Sequence, residues 1–358
     1  MRDLRRTTMN TLLLHCRPGF EGEVCSEISD HAARLGVSGY AKGKASSAHA
    51  EFVCSEADGT ERLMQGLRFN KLIFPRQWAR GSYVELPETD RISVLLNNLA
   101  AYPVCGSLWL EVFDTNDGKE LSNFCKKFEA PLRKALTAAG KLVDDPSKPR
   151  LLLTFKSGRE VFLGLAEANN QAPWPMGIPR LKFPREAPSR STLKLEEAWH
   201  YFIPREQWDA RLSDEMTGVD LGAAPGGWTY QLVKRGMLVT AIDNGPMAES
   251  LMDTGLVQHL MVDGFTWKPK QPVDWMVCDI VEKPARNAAL LETWIGEGLC
   301  REAVVNLKLP MKQRYAEVCR LLQRLEDAFA ARKIKVSIAC KQLYHDREEV
   351  TCHLRRLS

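Results

Sequence analysis

From Thr217 to Lys308 the chain alternates strand-like and helix-like segments, and no other feature of the sequence constrains the fold as strongly. TGVDLG, MLVTAID, QHLMVD, DWMVCDI and AVVNLKL are short apolar runs of strand composition. GGWTYQLVKRG, PARNAALLETWIGEGL and KQRYAEVCRLLQRLEDAFAA carry apolar residues at helical spacing. Such repetition lays a parallel sheet between two layers of helices. The C-terminal half is therefore predicted to be α/β, a doubly wound, mostly parallel, seven-stranded Rossmann-like sheet. KIKVSIACKQL and EVTCHLRRL, joined by a short polar loop, are expected to close it as an antiparallel pair at the edge.

The pattern differs upstream. TLLLHC and LWLEVFDT read as strands, GFEGEVCSEISDHAARLG and KELSNFCKKFEAPLRKALTAAG as amphipathic helices, and LLLTFKSGREVFLGL as a hairpin through Ser157-Gly158. Strands and helices interleave there without long parallel crossovers, which suggests small α+β units of about 70–90 residues each. The two halves meet in a segment with five prolines, NNQAPWPMGIPRLKFPREAPSRS, where regular helix and interior strand are both blocked.

Composition excludes several classes. No apolar run reaches the roughly 18 residues of a membrane span. The basic N-terminus, MRDLRRTTMNTLLLHC, lacks a long apolar core and a cleavage site, so it does not read as a signal peptide. Ten cysteines without one C-x-x-C pair point to reduced thiols in a cytoplasmic protein rather than to disulfides or structural zinc. A net charge of +4 is compatible with RNA but does not demand it.

The strongest local signal is Val219-Asp220-Leu221-Gly222-Ala223-Ala224-Pro225-Gly226-Gly227-Trp228, which follows a strand and opens a helix. Its glycines let the backbone turn tightly at the crevice where doubly wound sheets bind ligands. The spacing is not G-x-G-x-x-G, and Pro225 removes a backbone donor, so a dinucleotide is disfavoured. Asp243, ending the second strand, suits a ribose diol. Asp263, ending the third, suits an adenine amino group, with Phe265 beside the ring.

Four further residues occupy topological slots around that turn. Lys194 lies in SRSTLKLEE ahead of the first strand, Asp279 ends the fourth, Lys308 ends the fifth in the apolar run VVNLKLP, and Glu349 sits in the last. A charge inside such a run needs a partner. This Lys–Asp–Lys–Glu order around DLGAAPGGW resembles the FtsJ-like family of RNA 2′-O-methyltransferases over residues 185–358. The resemblance implies S-adenosylmethionine as methyl donor and no metal. It implies a cofactor site of Ser191, Gly222, Ala224, Pro225, Gly226, Gly227, Trp228, Asp243, Asp263 and Asp279, and a catalytic tetrad of Lys308, Lys194, Asp279 and Glu349. A lysine acts as base only when its pKa falls, and two neighbouring lysines are expected to lower each other's. Lys308 is then the base, Lys194 supplies positive charge, Asp279 holds both lysines, and Glu349 orients Lys194 or the ribose.

LLHCRPGFE (from Leu13) resembles the opening of the small ferredoxin-like domain that precedes THUMP RNA-binding domains, and LWLEVFDTNDGKELSNFCKKFEAPLRKAL a THUMP core. Nearly the whole chain thus resembles the bacterial family of ribosomal RNA large subunit methyltransferase M, which implies a cytidine of 23S rRNA as substrate. The family-like start is MNTLLLHCRPGF, so MRDLRRTT reads as an addition before Met9. The organisation expected is a ferredoxin-like subdomain over 1–85, a THUMP domain over 86–170, a proline-rich basic linker over 171–188 and the methyltransferase over 189–358. In the linker Arg180, Lys182, Arg185 and Arg190 stand among Trp174, Phe183 and prolines, a mixture suited to RNA backbone and base contacts. A monomer without membrane contact is expected.

Three other readings compete. A THUMP-linked base methyltransferase places Asn or Asp before Pro-Pro-aromatic at the fourth strand end, where this chain has Asp279-Ile280-Val281-Glu282. A non-catalytic ribosomal RNA-binding assembly factor has no need of the intact tetrad. A nicotinamide oxidoreductase lacks its fingerprint here.

Overall fold

A computed structural model describes residues 9–357. Residues 1–8, where the reading of an added N-terminal stretch falls, lie outside the described residues. The chain divides after Pro179 into two compact units.

The first unit holds β1 (Thr11–His15), α1 (Glu21–Arg34), β2 (Gly39–Gly43), β3 (His49–Cys54), α2 (Gly59–Gly66), β4 (Gln77–Glu85), α3 (Arg91–Asn98), β5 (Ser107–Val112), α4 (Asn116–Ala138), β6 (Arg150–Phe155) and β7 (Glu160–Ala166). α1 forms because Val24, Ile28 and Ala32 recur every fourth residue and bury one stripe. The Thr115 hydroxyl accepts from Gly118 N–H at 3.1 Å and starts α4. All seven strands make one sheet, in the order β2-β3-β1-β4-β7-β6-β5. The nine-residue β4 joins its halves, pairing with β1 through Gln77–Gly81 and with β7 through Arg80–Glu85. β6 and β7 form the expected hairpin.

One expectation fails here. β5 and β6 are parallel, with α4 as the crossover. The strands at either end of α4 were legible, but which edge the returning strand joins depends on where α4 packs. Its buried Cys125, Leu132 and Leu136 belong to the core cluster that also holds Leu108 and Leu151. The proline-rich segment is also less free than its composition suggests. Ala172 N–H donates to Gln77 Oε1 at 3.2 Å and Met176 N–H to the buried Glu111 Oε1 at 2.6 Å, fastening residues up to Pro179 onto the first unit.

The second unit holds α5 (Thr192–Phe202), α6 (Trp208–Arg211), β8 (Thr217–Leu221), α7 (Gly227–Lys234), β9 (Leu238–Ile242), α8 (Glu249–Met252), β10 (Val257–Leu260), β11 (Val273–Cys278), α9 (Pro284–Gly296), β12 (Cys300–Lys308), α10 (Arg314–Ala331), β13 (Lys335–Lys341) and β14 (Glu349–Leu357). The sheet order is β10-β9-β8-β11-β12-β14-β13. β8 to β12 are parallel and β14 runs antiparallel between β12 and β13. The seven-stranded, mostly parallel sheet with an antiparallel closing pair is as the alternation predicts. One side packs Leu195, Trp199, Trp228 and Leu232 against Val239, Trp275 and Val304. Among the described residues no helix is long and apolar enough to cross a membrane.

Candidate active site

The parallel strands β8, β9, β11 and β12 all end at the same edge of the sheet, and Asp243, Asp279 and Lys308 stand at or just past those ends. The Gly-rich turn leaves β8 with Gly222 at φ 75° and Gly226 at φ 116°, conformations that a side chain strains. The space is closed to side chains as well. A Cβ on Gly222 falls 2.4 Å from Ile280 Cγ1, one on Gly226 2.2 Å from Leu251 Cδ1, and one on Gly227 2.1 Å from Ser191 Oγ. Ser191 thus caps the turn, its Oγ 3.1 Å from Ser189 Oγ.

Asp243 directly follows β9. Its Oδ2 accepts from Ala224 N–H at 3.0 Å and its Oδ1 from Gly245 N–H at 2.7 Å. These bonds fix the carboxylate against the turn, and each oxygen keeps a lone pair for a diol. Asp263 does not end β10, which stops at Leu260. It is exposed in the turn beyond, with Oδ1 accepting from Phe265 N–H at 2.9 Å. The Arg286 guanidinium lies 3.8 Å from the Phe265 ring centroid. Trp228, expected in the cofactor site, is 3% exposed and its side chain lies within the core cluster. Only its backbone remains for a ligand, because α7 turns that face inward. Asp220 sits inside β8 and accepts from the Thr229 hydroxyl at 2.7 Å. Burial raises its carboxyl to about 7, against the Thr229 hydrogen bonds and helped by the Asp279 and Asp243 charges.

The tetrad residues, more than eighty residues apart at the extremes of the Lys194–Asp279 pair alone, meet around Asp279 just past β11. Lys194 Nζ, on the first turn of α5, lies 3.1 Å from Asp279 Oδ2 and 2.6 Å from Glu349 Oε1. Lys308 Nζ lies 3.1 Å from Asp279 Oδ1 and 3.5 Å from Glu349 Oε2. Lys308 and Glu349 are register partners across β12 and β14. Glu348 instead binds Arg314 at 2.7 Å, away from the lysines. Two cations and two anions balance in a half-buried site.

That balance overturns one expectation. Burial pulls the Lys194 ammonium down, but the Asp279, Glu349 and Asp346 carboxylates outweigh it and hold its pKa above the ordinary value. Glu349 responds in kind. Burial pushes it up, while the Lys194 hydrogen bond and the Lys194 and Lys308 charges hold it below the usual carboxylate range. Two carboxylates in contact count for more than the repulsion between two lysines. Lys308 is the most open of the four, with 20% of its side chain exposed against 15%, 18% and 5% for Lys194, Asp279 and Glu349.

Sequence reasoning missed four neighbours. Asn306 Nδ2 donates to Asp279 Oδ1 at 2.8 Å, and behind it stand Thr351 and Asp346. Glu197 accepts from Tyr344 N–H at 2.7 Å and His345 N–H at 2.9 Å, tying the loop before β14 to α5. Strand alternation offered a signal for Asn306, two places before Lys308 on the same face of β12. Arg180, Lys182, Arg185 and Arg190 are all exposed, and among the described residues none forms a salt bridge. Arg190 lies 5.9 Å from the Phe183 ring centroid.

The residues present suit S-adenosylmethionine: a turn closed to side chains, a fixed carboxylate at its mouth and a charge-balanced cluster beside it. Comparison with known proteins agrees. Residues 9–79 match the family described as RlmM ferredoxin-like domain, and residues 90–167 match ribosomal RNA large subunit methyltransferase M, N-terminal. Residues 187–334 match FtsJ-like methyltransferase. Ribosomal RNA large subunit methyltransferase M of Pseudomonas syringae pv. syringae is 85% identical over 349 residues, covering 98% of this chain and 98% of that one. The protein of the same name from Pseudomonas fluorescens (strain Pf-5) is 83% identical with the same coverage. The chain belongs to the ribosomal RNA large subunit methyltransferase M family, and its second unit is an FtsJ-like methyltransferase domain.

Proposed function

We propose that the protein transfers a methyl group from S-adenosylmethionine to the ribose 2′-hydroxyl of a cytidine in 23S rRNA. The observation that carries the reading is the meeting of Lys194, Asp279, Lys308 and Glu349 within hydrogen-bond reach of one another at the C-terminal edge of the sheet. The ribosomal substrate is carried over from the names of the relatives, and the sugar hydroxyl and the cytidine from the resemblance of the tetrad and of the whole chain.

S-adenosylmethionine, held by Gly222, Ala224, Gly226, Gly227 and Asp243, supplies a methyl on a sulfonium when bound. The remaining work belongs to the tetrad. A ribose hydroxyl is a weak nucleophile until its proton is taken or strongly polarised. Lys308, the most open member, meets that hydroxyl and, once its own ammonium proton has left to solvent, takes the hydroxyl proton at Nζ, which restores the second cation of the site. Lys194 stays an ammonium, because the Asp279 and Glu349 carboxylates hold its proton, and its charge stabilises the developing alkoxide. Asp279 fixes the distance between the two lysines, and Glu349 holds Lys194 from behind. Arg180, Lys182, Arg185 and Arg190, exposed and free of carboxylate partners among the described residues, engage RNA phosphates, with Phe183 for stacking. The first unit, with its ferredoxin-like and THUMP-like halves, selects the RNA. A ribosomal substrate sets the enzyme in the cytoplasm.

The test is single-turnover methyl transfer followed by mass spectrometry of the RNA nucleosides. A 2′-O-methylcytidine product is expected. Lys308→Ala should lose about 10²–10⁴ in rate while still binding S-adenosylmethionine. Lys308→Arg should recover little, since guanidinium keeps its proton. A methylated base, or near-normal transfer by Lys308→Ala, overturns the assignment.

A further inference from the structure

Val281 and Met311 are the two most exposed large apolar side chains among the described residues, at 83% and 86%. Lone exposed apolar residues are common on protein surfaces. The placement of these two sets them apart. Val281 comes two residues after Asp279, and Met311 three after Lys308. β11 and β12 are neighbours in the sheet and run parallel, so the loops that leave them start side by side at the tetrad. Three residues of extended chain span at most about 11 Å, which keeps Met311 close to Lys308. Both loops are fastened around these side chains. After β11, Ile280 packs over the Gly-rich turn, where a Cβ on Gly222 would fall 2.4 Å from its Cγ1. The Ile280 carbonyl accepts from Asn287 Nδ2 at 3.2 Å. Glu282 accepts from Lys283 N–H and from Arg286 Nη1, both at 2.8 Å. After β12, Leu309 N–H donates to the Glu348 carbonyl at 2.7 Å, and the Pro310 carbonyl accepts from Arg314 Nε at 3.2 Å. Gln313, at φ 54°, then turns the chain into α10. Backbones held in this way keep two apolar side chains in water beside a charged site.

We propose that Val281 and Met311 grip the base of the nucleotide being methylated, once it is unstacked from its RNA, and so hold its 2′-hydroxyl at Lys308. The proposal rests on the reading of Lys308 as proton acceptor and adds what holds the rest of the nucleotide. The occupant follows from how a nucleotide is connected. The base is joined to the sugar carbon next to the one that bears the 2′-hydroxyl. A hydroxyl at Lys308 Nζ therefore brings a flat ring with two apolar faces to the ends of β11 and β12. The cofactor does not compete for this place. Gly222, Gly226 and Asp243 lie past the ends of β8 and β9, while Met311 follows β12, two strands along from β8. Within an RNA helix the ring faces are covered by stacking, so a grip on them needs the base splayed out. A flexible, polarisable thioether suits contact with such a ring. Lys283 and Lys312 flank the pair, both exposed and without a carboxylate partner among the described residues. They suit the phosphates on either side of the gripped nucleotide.

The test is a cycle of protein and RNA changes with the full-length chain. Wild type is compared with Val281→Ala, Met311→Ala, the double variant and Met311→Leu. Leu238→Ala, an exposed position at the start of β9 and so at the opposite edge of the sheet, serves as control. The RNA is a 23S rRNA fragment with the nucleotide found to be methylated, and the same fragment with an abasic ribose in its place. On the normal RNA kcat/KM should fall about tenfold in each Ala variant and further in the double variant. S-adenosylmethionine affinity and melting temperature should not change. Met311→Leu and Leu238→Ala should stay close to wild type. On the abasic RNA wild type should drop to the level of the double variant, because there is no base to grip. A gap between them that survives on abasic RNA overturns the proposal, since the side chains then touch something other than the base. A double variant with the wild-type kcat/KM on normal RNA overturns it too. Where the double variant fails to fold, the single variants decide by the same cycle. Full transfer by Lys308→Ala overturns the proton-acceptor assignment alone, and the abasic cycle still decides the grip.

Discussion

Glu349→Gln removes one charge from the tetrad and leaves two cations around one carboxylate. At 2.6 Å a charge pair is worth about 1.6 kcal/mol at the dielectric of water and about 6 kcal/mol at an effective constant of 20. The Lys194 and Glu349 side chains are 15% and 5% exposed, so the pair lies between these limits. Asp279 still sits 3.1 Å from each lysine, and neither cation is orphaned. The cost therefore falls below the roughly 3–5 kcal/mol of breaking a fully buried pair, at about 2–3 kcal/mol. Its pH window follows from the two shifts. Glu349 has a depressed pKa, so its contribution is present above its unfolded value of roughly 4.3 and is lost as pH falls through the folded value. Lys194 has a raised pKa, so its contribution is present below roughly 10.4 and is lost as pH rises through the folded value. The gap between wild type and variant should be flat from about pH 5 to 10 and narrow in acid. Urea unfolding followed by tryptophan fluorescence reads it, because Trp199, Trp208, Trp228, Trp267, Trp275 and Trp294, six of nine tryptophans, lie in the second unit. A gap under about 0.5 kcal/mol near pH 8, or one that persists undiminished below about pH 4, refutes the reasoning.

Three further outcomes are expected. Gly226→Ala forces a side chain into φ 116° and against Leu251 Cδ1. It should cost about 1–3 kcal/mol in melting experiments and weaken S-adenosylmethionine binding in calorimetry; a variant that matches wild type in both would show the turn to be slack. Asp220 has a raised carboxyl, near 7, so the folded state keeps a proton that the unfolded state gives up between about pH 4 and 7, and stability falls across that window. Asp220→Asn should therefore be more stable than wild type near pH 8 and equal to it near pH 4, and the opposite order in denaturation curves would show that the ionised form is favoured. Replacing Arg180, Lys182, Arg185 and Arg190 together by Ala should flatten the salt dependence of RNA affinity by about 3 in log–log slope if each meets one phosphate of a single strand; an unchanged slope in filter binding removes them from the RNA path.

Much of the site was legible because it is built from strand ends. In a parallel sheet every strand delivers its C-terminal residue to one edge, so Asp243, Asp279 and Lys308 could be grouped from the alternation alone. The Gly-rich turn was legible because φ values near 75° and 116° admit little else than glycine. Where the Trp228 side chain points was not legible, because its place in the turn says nothing of which way α7 rotates, and the helix points it into the core. The direction of the Lys194 pKa shift, expected downward, was misread for a related reason. Its sequence neighbours are apolar, and the carboxylates that hold its proton come from β11, β14 and the loop before it.

The sequence by itself determined the alternation, hence the doubly wound sheet, the crevice and the residue types available there, because periodicity and backbone restriction act locally. The tertiary structure alone decided the returns. It joined β5 to β6 in parallel through α4, and it inserted β14 between β12 and β13 in the register that sets Glu349 opposite Lys308 and Thr351 opposite Asn306. A shift of one residue in that pairing would turn both β14 side chains to the other face. Such a register is chosen by the packing of whole strands and by long-range hydrogen bonds, which no local pattern encodes, and through it four distant charges came to share one proton-handling site.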